Sequence, residues 1–366
     1  MTGASSGALA WRRDVSEMRG DLAAWVTHEF GPGAPLGECT MPDNGMANET
    51  LVFEIGRDRY VARLAPHKDS PYPVFPVFDL RLQRDCMQLV RARTDVPVPE
   101  VVRYEDDPRW LGTPFLVMRY VDGKVPRDTP PYLLEGWMTT LTAADLARLE
   151  ESTVEVLVGI HQVRAAADLA LFTAGRPEAS PLARQLAAQR DYYEWARDGR
   201  RVPAIEDALA TLVGTVPGND RSVLNWGDSR IGNIIYRDCL PVAVLDWEMA
   251  TTGPPEVDVA WMVFLHTFMR EMITTVMPDF FSGGSRAGMT ELLQRDRVVS
   301  LYEKTSGERL DDLGWYEAFA AVRFAIILMR MSLRATASGA MAPAGDPDGL
   351  ILFAPLLRRL ISEISS

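Results

Sequence analysis

The chain has 366 residues, of which 47% are hydrophobic and 24% charged, and its formal net charge is -12 at pH 7. This composition excludes wholesale disorder, and the length is sufficient for two lobes that each bury a core. The acidic charge argues against a nucleic-acid-binding protein, because contacts to a phosphate backbone require a basic surface.

The cysteines and the N-terminal residues indicate in which cellular compartment the protein resides. Cys39, Cys86 and Cys239 are scattered, and their spacing matches no metal site, so we expect free thiols in a reducing environment. The first residues lack the basic start and apolar run of a signal peptide, and no stretch reaches the roughly 18 apolar residues of a membrane helix. The sequence therefore predicts a cytoplasmic protein without a membrane partner.

The first 120 residues are rich in β-strand signals. The predicted elements are a helix at 14–30, strands at 51–55 and 59–64, a helix at 79–93, an extended segment from 96 onward and a strand at 114–118. Gly56-Arg57-Asp58, between the first two strands, predicts a hairpin turn. Asp122-Gly123 then breaks the pattern.

Beyond about residue 145 the chain is mainly helical. Helical periodicity covers 145–170, 181–198, 204–214, 256–273, 289–304, 312–336 and 350–362, and short extended pieces cover 222–225, 233–237 and 241–246. This order predicts an α+β protein with a small β-rich N-terminal lobe, residues 1–120, and a larger mainly helical C-terminal lobe, residues 121–366. The segment 119–123 is expected to join them.

One stretch of the helical half carries polar residues in a spacing that suits phosphoryl transfer. Asp228 lies on a predicted turn after a short strand, Asn233 follows five residues later, and Asp246 ends an apolar strand. Phosphoryl transfer requires an acceptor hydroxyl aimed in line and a neutralised phosphate charge. One carboxylate can orient the hydroxyl, while a second carboxylate and an amide oxygen are ligands that Mg²⁺ prefers.

The surroundings of these residues make the pattern specific. An Asp-x-x-x-x-Asn spacing alone is typical of a turn or a cap pair. Here a glycine precedes Asp228, the strand after Asn233 ends in Asp246-Trp247-Glu248, and Gly253 and Asp258 follow. The functional groups occur in the order of the catalytic and metal-binding loops of kinases. We therefore interpret these residues as a phosphoryl-transfer motif rather than as a turn or a cap pair.

With these motifs the chain resembles the aminoglycoside-phosphotransferase family, whose fold is similar to that of protein kinases. Within this family it is most similar to the branch that includes kinase-like domains fused to acyl-CoA dehydrogenases. The resemblance extends from about residue 40 to about 335; it is strongest over 227–258 and weaker over 95–99 and 111–118. It implies a bilobal protein-kinase-like fold and a small-molecule kinase that uses ATP and Mg²⁺.

The resemblance also implies roles for individual residues of the C-terminal lobe. Asp228 is expected to be the catalytic base that orients the hydroxyl, and Asn233 and Asp246 are expected to bind Mg²⁺. Asp258, on the following helix, is expected to brace the catalytic loop by hydrogen bonding. Glu248 fits either a place close to the metal or a solvated carboxylate beside the cleft.

The residue before Gly227 departs from the family pattern, which usually has histidine there. This chain has Trp226, whose bulk and single N–H are expected to support the loop with altered packing and retained chemistry. The substitution also leaves open an inactive, kinase-shaped binding protein.

The nucleotide-binding residues of the N-terminal lobe follow from the resemblance as well. The turn that contains Asn44 and Gly45 occupies the place of the family's phosphate-covering loop, although it lacks repeated glycines and could be a simple hairpin turn. Arg63 occupies the position of the strand lysine that pairs with ATP phosphates, and its forked guanidinium suits phosphate. A strand-edge arginine is the alternative for this residue.

Two further assignments concern the partner of Arg63 and the adenine. The helix carboxylate that pairs with Arg63 is expected to be Asp85, with Asp79 as a competing candidate and a plain surface charge as the alternative. The segment from Met118 to Tyr120 resembles the hinge that meets adenine through backbone groups. Met118 is equally compatible with core packing.

Other conspicuous residues receive structural interpretations. His161, on a predicted helix, is expected to be a packed or capping histidine. Several large apolar side chains of the later helices are interpreted as core, with a place in an acceptor pocket as the alternative: Trp261, Phe264, Phe268, Phe324, Met329 and Met331. The chain has no P-loop motif, which excludes that enzyme class by its defining motif.

The sequence thus predicts a kinase that moves the γ-phosphoryl group of ATP to a hydroxyl of a small molecule. A hydroxyacyl-CoA or another hydroxylated metabolite is the first candidate acceptor, and an aminoglycoside or other antibiotic is the second. The alternative from another class is a pseudokinase, a nucleotide-binding module that regulates a partner. No feature of the sequence indicates an oligomeric state.

Overall fold

The computed structural model describes residues 13–42, 49–66, 72–172, 180–280 and 287–365. Its N-terminal strands are β1 (Leu36–Thr40), β2 (Glu49–Ile55), β3 (Asp58–Leu64), β4 (Val101–Glu105) and β5 (Phe115–Arg119). They form one five-stranded antiparallel sheet in the order β1-β2-β3-β5-β4. β2 and β3 are the predicted hairpin, and Gly56 in its turn has a φ of 63°.

Side-chain alternation along the strands gives this sheet two different faces. Helix α1 (Val15–Phe30) covers one face, where Trp25 is fully buried and meets Phe53 and Phe115 edge-on. Residues of the opposite parity, Arg63 among them, face the rest of the molecule. Helix α2 (Leu80–Arg93) packs on this second side, whose core is continuous with that of the helical part.

The helical part surrounds two small strand pairs. Its helices are α3 (Ala143–Ile160), α4 (Ala166–Leu169), α5 (Pro181–Ala196), α6 (Pro203–Gly214), α7 (Glu256–Val276), α8 (Ala287–Glu291), α9 (Arg295–Ser306), α10 (Leu313–Ala337) and α11 (Ala354–Ile364). Its strands are β6 (Val223–Asn225), β7 (Ile234–Arg237), β8 (Leu240–Val244) and β9 (Thr251–Gly253). β6 pairs with β9, and β7 pairs with β8. The predicted catalytic residues Asp228, Asn233 and Asp246 lie on the segments that connect these two pairs.

Most of the predicted elements are confirmed, and the differences have local causes. The periodicity over 145–170 breaks after His161, which caps α3, and only a short helical turn follows. The stretch 289–304 is divided by Leu293, whose φ of 52° is incompatible with a continuous helix. The edge strands β1 and β9 were not predicted. Both are short, and their stability depends on pairing with a partner strand.

The two longest helices, α7 and α10, pack against each other at the centre of the helical part.

Across the described residues, no helix combines the length and the apolar character that a membrane crossing requires. The segment that follows β5 is fixed to β7, because the backbones of Lys124 and Tyr236 exchange two hydrogen bonds of 2.8 Å each. The division at residues 120/121 stays a prediction.

Candidate active site

A cavity of about 1680 Å³ lies between the sheet and the helical part. The second face of the sheet lines one side of it, and the catalytic motif, α7 and α10 line the others. Asp228, Asn233 and Asp246 all reach this cavity, together with Arg63. The structure therefore brings the predicted acids and amide together although they lie on separate loops.

The backbone at the start of the catalytic loop requires glycine. Gly227 has a φ of 89°, and a Cβ atom there would lie 2.0 Å from the carbonyl oxygen of Met249. Gly253 is similarly enclosed, because a Cβ atom would lie 2.4 Å from Nε2 of Gln185. These two glycines allow the catalytic loop and the segment before α7 to approach closely.

Asp258 forms hydrogen bonds with the backbone of the loop that carries Asp228. Its fully buried carboxylate accepts hydrogen bonds from the backbone N–H of Trp226 at 2.6 Å and of Gly227 at 2.9 Å. His161 Nε2 lies 3.1 Å from the same carboxylate, and its Nδ1 lies 2.8 Å from the hydroxyl of Tyr302. His161 is thus buried and caps α3, which confirms its structural interpretation.

The carboxylate of Asp228 is fixed by three donors. Trp261 Nε1 donates to Oδ1 at 2.8 Å, while Asn233 Nδ2 and Arg230 Nε donate to Oδ2 at 2.6 Å and 3.1 Å. Asn233 Nδ2 also lies 3.1 Å from the Asp228 carbonyl oxygen. Because these contacts come from a helix, a turn and a loop, the carboxylate has a defined orientation at the edge of the cavity.

Asp246 lies opposite, at the end of β8. Its φ of 61° is unusual for a residue other than glycine, and such backbone conformations occur preferentially at functional sites. Its Oδ1 accepts a hydrogen bond of 2.6 Å from Arg63 Nη2. The backbone N–H of Leu245 donates to the Asn233 carbonyl oxygen at 2.8 Å, which keeps the two loops side by side.

Arg63 is a largely buried cation between two acids, with 14% of its side chain exposed. Its Nη2 also lies 3.6 Å from a carboxylate oxygen of Glu248. Burial alone would lower the pKa of Arg63, but the charges of Asp246 and Glu248 outweigh it and raise that pKa. Within the described residues, Arg63 Nε is buried and has no hydrogen-bond partner. Glu248 is 10% exposed beside this arginine, which contradicts the solvated alternative for it.

The chemistry of the donor set fits Mg²⁺ bound together with phosphates. Asn233 directs its NH₂ group to Asp228, so its amide oxygen is the atom left for a metal. Asp246 uses Oδ1 for Arg63 and keeps Oδ2. In the part of the chain that the structure describes, no three acidic, histidine or cysteine side chains cluster into a metal site of their own. Mg²⁺ that is held by one or two carboxylates and substrate phosphates needs no such cluster.

Trp226 performs a bracing role at the position where histidine was expected. Its indole is fully buried, and Nε1 donates to the carbonyl oxygens of Leu245 at 2.8 Å and of Asp246 at 3.2 Å. The tryptophan therefore connects the loop of Asp228 to the loop of Asp246. With tryptophan at this position, Asp228 and Asp246 both line the cavity.

The assignment of Asp85 as the partner of Arg63 is wrong. Asp85 pairs with Arg84 at 2.7 Å, and Asp79 accepts from the N–H of Leu82 as the N-cap of α2. The α2 residues that line the cavity are Gln83 and Met87, and Gln83 is buried with an Nε2 that has no partner among the described residues. Asp85 lies two residues after Gln83, and two residues correspond to a rotation of about 200° around the helix axis. Asp85 therefore points away from the cavity.

The other residues assigned to the nucleotide have mixed outcomes. Met118 and Tyr120 line the cavity. The N–H of Tyr120 donates to the carbonyl oxygen of Arg59 at 3.0 Å, so contact with a base at this residue must use another atom. Asn44 and Gly45 lie outside the described residues.

Two arginines close to Asp228 and Gly227 were missed in the sequence. Arg230 pairs with Asp228 and with Asp128, and these two carboxylates raise the pKa of its guanidinium against the effect of burial. Arg323 of α10 donates to the Gly227 carbonyl oxygen at 2.9 Å and lies over the Trp261 ring at 4.5 Å. Burial lowers the pKa of Arg323 to about 10. An arginine inside the apolar run of α10 was the available signal for it.

Comparison with known proteins identifies the family of this chain. The model of the phosphotransferase enzyme family, APH, matches residues 38–292. Acyl-CoA dehydrogenase family member 11 of Homo sapiens is 26% identical over 267 residues, which cover 72% of this chain and 32% of that protein. The Gallus gallus protein of the same name is 30% identical over 235 residues, covering 63% and 28%. The chain thus spans about a third of the length of these relatives.

Solved structures of similar fold include phosphotransferases. A protein of Ralstonia eutropha JMP134, provisionally described as an aminoglycoside phosphotransferase, is 22% identical with a TM-score of 0.65, covering 95% of this chain and 98% of that chain. Aminoglycoside phosphotransferase APH(4)-Ia, in complex with ADP and hygromycin B, is 16% identical with a TM-score of 0.56, covering 94% and 97%. At these identities the likeness shows the fold, and it confirms the predicted bilobal kinase-like architecture.

Proposed function

The chain belongs to the phosphotransferase enzyme family, APH, and from this premise we propose that it moves the γ-phosphoryl group of ATP to a hydroxyl of a small molecule. The observation that carries the proposal is the meeting of Asp228 and Asn233 with Asp246 and Arg63 at one cavity. This set offers a base, an amide oxygen, a second carboxylate and a cation. These are the groups that in-line phosphoryl transfer uses.

Asp228 is proposed to receive the acceptor. Its carboxylate, held by Trp261 and Asn233, would accept a hydrogen bond from the acceptor hydroxyl and aim the oxygen at the phosphorus. The proton of the hydroxyl passes to the carboxylate as the new O–P bond forms and the bond to the ADP oxygen breaks. The donors that hold Asp228 therefore contribute to catalysis through orientation.

The phosphates are proposed to lie between the two lobes. Arg63 Nε and Gln83 Nε2 are buried donors without partners in the described part of the chain, and phosphate oxygens would satisfy both. Arg230, which donates a hydrogen bond to Asp228, would meet the transferred group. Asn233 and Asp246 would hold Mg²⁺, which would neutralise charge on the phosphate oxygens.

The same arrangement weighs against a pseudokinase. Trp226 was the feature that favoured it, yet this residue braces the loops of Asp228 and Asp246 from within the core. A hydroxyacyl-CoA or another hydroxylated metabolite remains the proposed acceptor, and an aminoglycoside remains the alternative. Hygromycin B is present in the complex of APH(4)-Ia, at 16% identity to this chain.

The test is transfer of label from [γ-³²P]ATP to pooled hydroxylated metabolites that include acyl-CoA species and hygromycin B. We expect a labelled acceptor that forms only with Mg²⁺ present, because both the metal and a hydroxyl are required. Retention of nucleotide binding together with no labelled product, and no hydrolysis of ATP above background, would instead establish a binding module.

A further inference from the structure

The cavity continues from Asp228 along helix α7. One stripe of this helix lines it, with helical spacing: Met262, Leu265, His266, Met269, Met272 and Ile273. At 1.5 Å per residue, the stripe from Trp261 to the exposed Val276 is roughly 22 Å long. Phe324, Ile327 and Met331 of α10 line the same space. The result is a long groove, which we call the methionine groove, that begins at the catalytic carboxylate.

The groove is unsuited to a polycation. Among the described residues that line the whole cavity, the carboxylates belong to Asp128, Asp228, Asp246 and Glu248. All of them lie at the transfer end, and each is beside Arg63 or Arg230. An ammonium group that entered between methionine and phenylalanine side chains would lose its hydration without an acidic partner.

His266 lines the groove and has one buried ring nitrogen without a partner among the described residues. His266 is 2% exposed, and its Nδ1 lies 2.7 Å from the hydroxyl of Tyr132. Its Nε2 has no hydrogen-bond partner within the described residues. Burial lowers the pKa of His266 to about 3, so the ring is neutral near pH 7. A buried polar group of this kind is costly unless a ligand satisfies it.

The neighbouring hydroxyl decides which hydrogen-bonding group the ligand must bring. Tyr132 is buried, and His266 Nδ1 is the acceptor that the described residues offer its hydroxyl hydrogen. When Tyr132 donates to Nδ1, the ring proton of the neutral histidine resides on Nε2. The unsatisfied atom is then a donor, and a neutral acceptor such as a carbonyl oxygen would satisfy it.

We infer that the methionine groove is the acceptor subsite and that it takes a hydroxylated amphiphile, whose chain packs along α7 and whose carbonyl accepts a hydrogen bond from His266 Nε2. The inference rests on the proposed function for the role of the hydroxyl at Asp228. His266 follows Trp261 by five positions on α7. The carbonyl therefore lies about 8 Å beyond Trp261 along the helix axis. The flexible thioether side chains can adapt to the chain.

Binding of unreactive probes tests the subsite without any turnover. N-ethyl alkanamides of increasing chain length carry the carbonyl and no hydroxyl, and tryptophan fluorescence reports their Kd. We expect Kd to fall about fourfold for each methylene that is buried, until the chain fills the groove. Matched alkanes without the carbonyl are expected to bind more weakly at equal length.

Two variants at one position separate the hydrogen bond from packing. His266→Gln places an amide near Nε2, whereas His266→Asn reaches only the position of Nδ1 and keeps a partner for Tyr132. We expect His266→Asn to weaken the alkanamide about five- to tenfold and His266→Gln to restore most of this loss. Equal losses for alkanamide and alkane in both variants would overturn the role of His266, and thermal melting checks that both are folded.

A transfer assay separates the subsite from the proposed function. N-(5-hydroxypentyl)decanamide has a chain, a carbonyl and a hydroxyl on a pentyl spacer long enough to reach Asp228 from His266, and we expect it to accept label from [γ-³²P]ATP while hygromycin B does not. Alkanamide binding without transfer to any acceptor would sink the proposed function and leave the subsite standing. Transfer to hygromycin B, with no binding of alkanamides, would overturn the subsite and leave the phosphotransferase.

Discussion

Replacement Asp228→Asn is expected to reduce kcat for phosphoryl transfer by about 10²- to 10⁴-fold. The amide has nearly the same volume as the carboxylate, but it cannot accept the proton of the acceptor hydroxyl. Its NH₂ group would also oppose one of the donors that now hold Asp228, namely Trp261, Asn233 and Arg230. Both effects act on the transition state more than on bound ATP.

Steady-state kinetics and calorimetric titration with ATP check this prediction. The Kd for ATP should stay within a few-fold of the parent value, because Arg63 and Asp246 are unchanged. Asp122→Asn is the matched control, since its carboxylate is 75% exposed and pairs with Arg59 at the surface. Transfer at the parent rate in the Asp228→Asn protein would contradict the assignment of the base.

Replacement Asp258→Ala is expected to destabilise the protein by about 3 kcal/mol, because two buried backbone N–H groups would lose their acceptor at about 1–3 kcal/mol each. These groups belong to Trp226 and Gly227, and His161 would lose its partner as well. The loop that presents Asp228 would lose its support, so kcat should also fall. The effect on stability is the primary one.

Thermal unfolding is the measurement, and a midpoint lower by roughly 6–12 °C corresponds to this loss for a lobe of this size. Asp207→Ala, on the exposed side of α6, is the control and should change stability by no more than about 0.5 kcal/mol. A midpoint within 2 °C or so of the parent would show that Asp258 does not support the loop.

The catalytic motif was predictable because its members are close in sequence and are separated by recognisable strands. Asp228 and Asn233 share one turn, and Asp246 follows one strand pair later. Gly227 was also informative, since its φ of 89° and its contact with Met249 exclude side chains. Arg63 was found through the resemblance, because it occupies the position of the strand lysine, and the side-chain alternation along β3 places it on the cavity face.

Contacts that depend on helix rotation or on distant helices could not be predicted in the same way. Asp85 was selected for its charge, whereas the rotation of α2 presents Gln83 to the cavity. Trp261 and Arg323 reach Asp228 and Gly227 only after α7 and α10 pack together. The apolar spacing of α7 was visible, but the choice between core and pocket required the cavity itself.

The most direct test of the account is a crystal structure with AMP-PNP and Mn²⁺ in place of Mg²⁺. We predict that the anomalous signal of the metal lies in contact with the carboxylate of Asp246 and the amide oxygen of Asn233, with the phosphates reaching Arg63. Asp228 should point at the γ-phosphate from the side of the methionine groove. A nucleotide whose phosphates meet neither the metal nor Arg63, or a metal bound away from Asp246, would contradict the account.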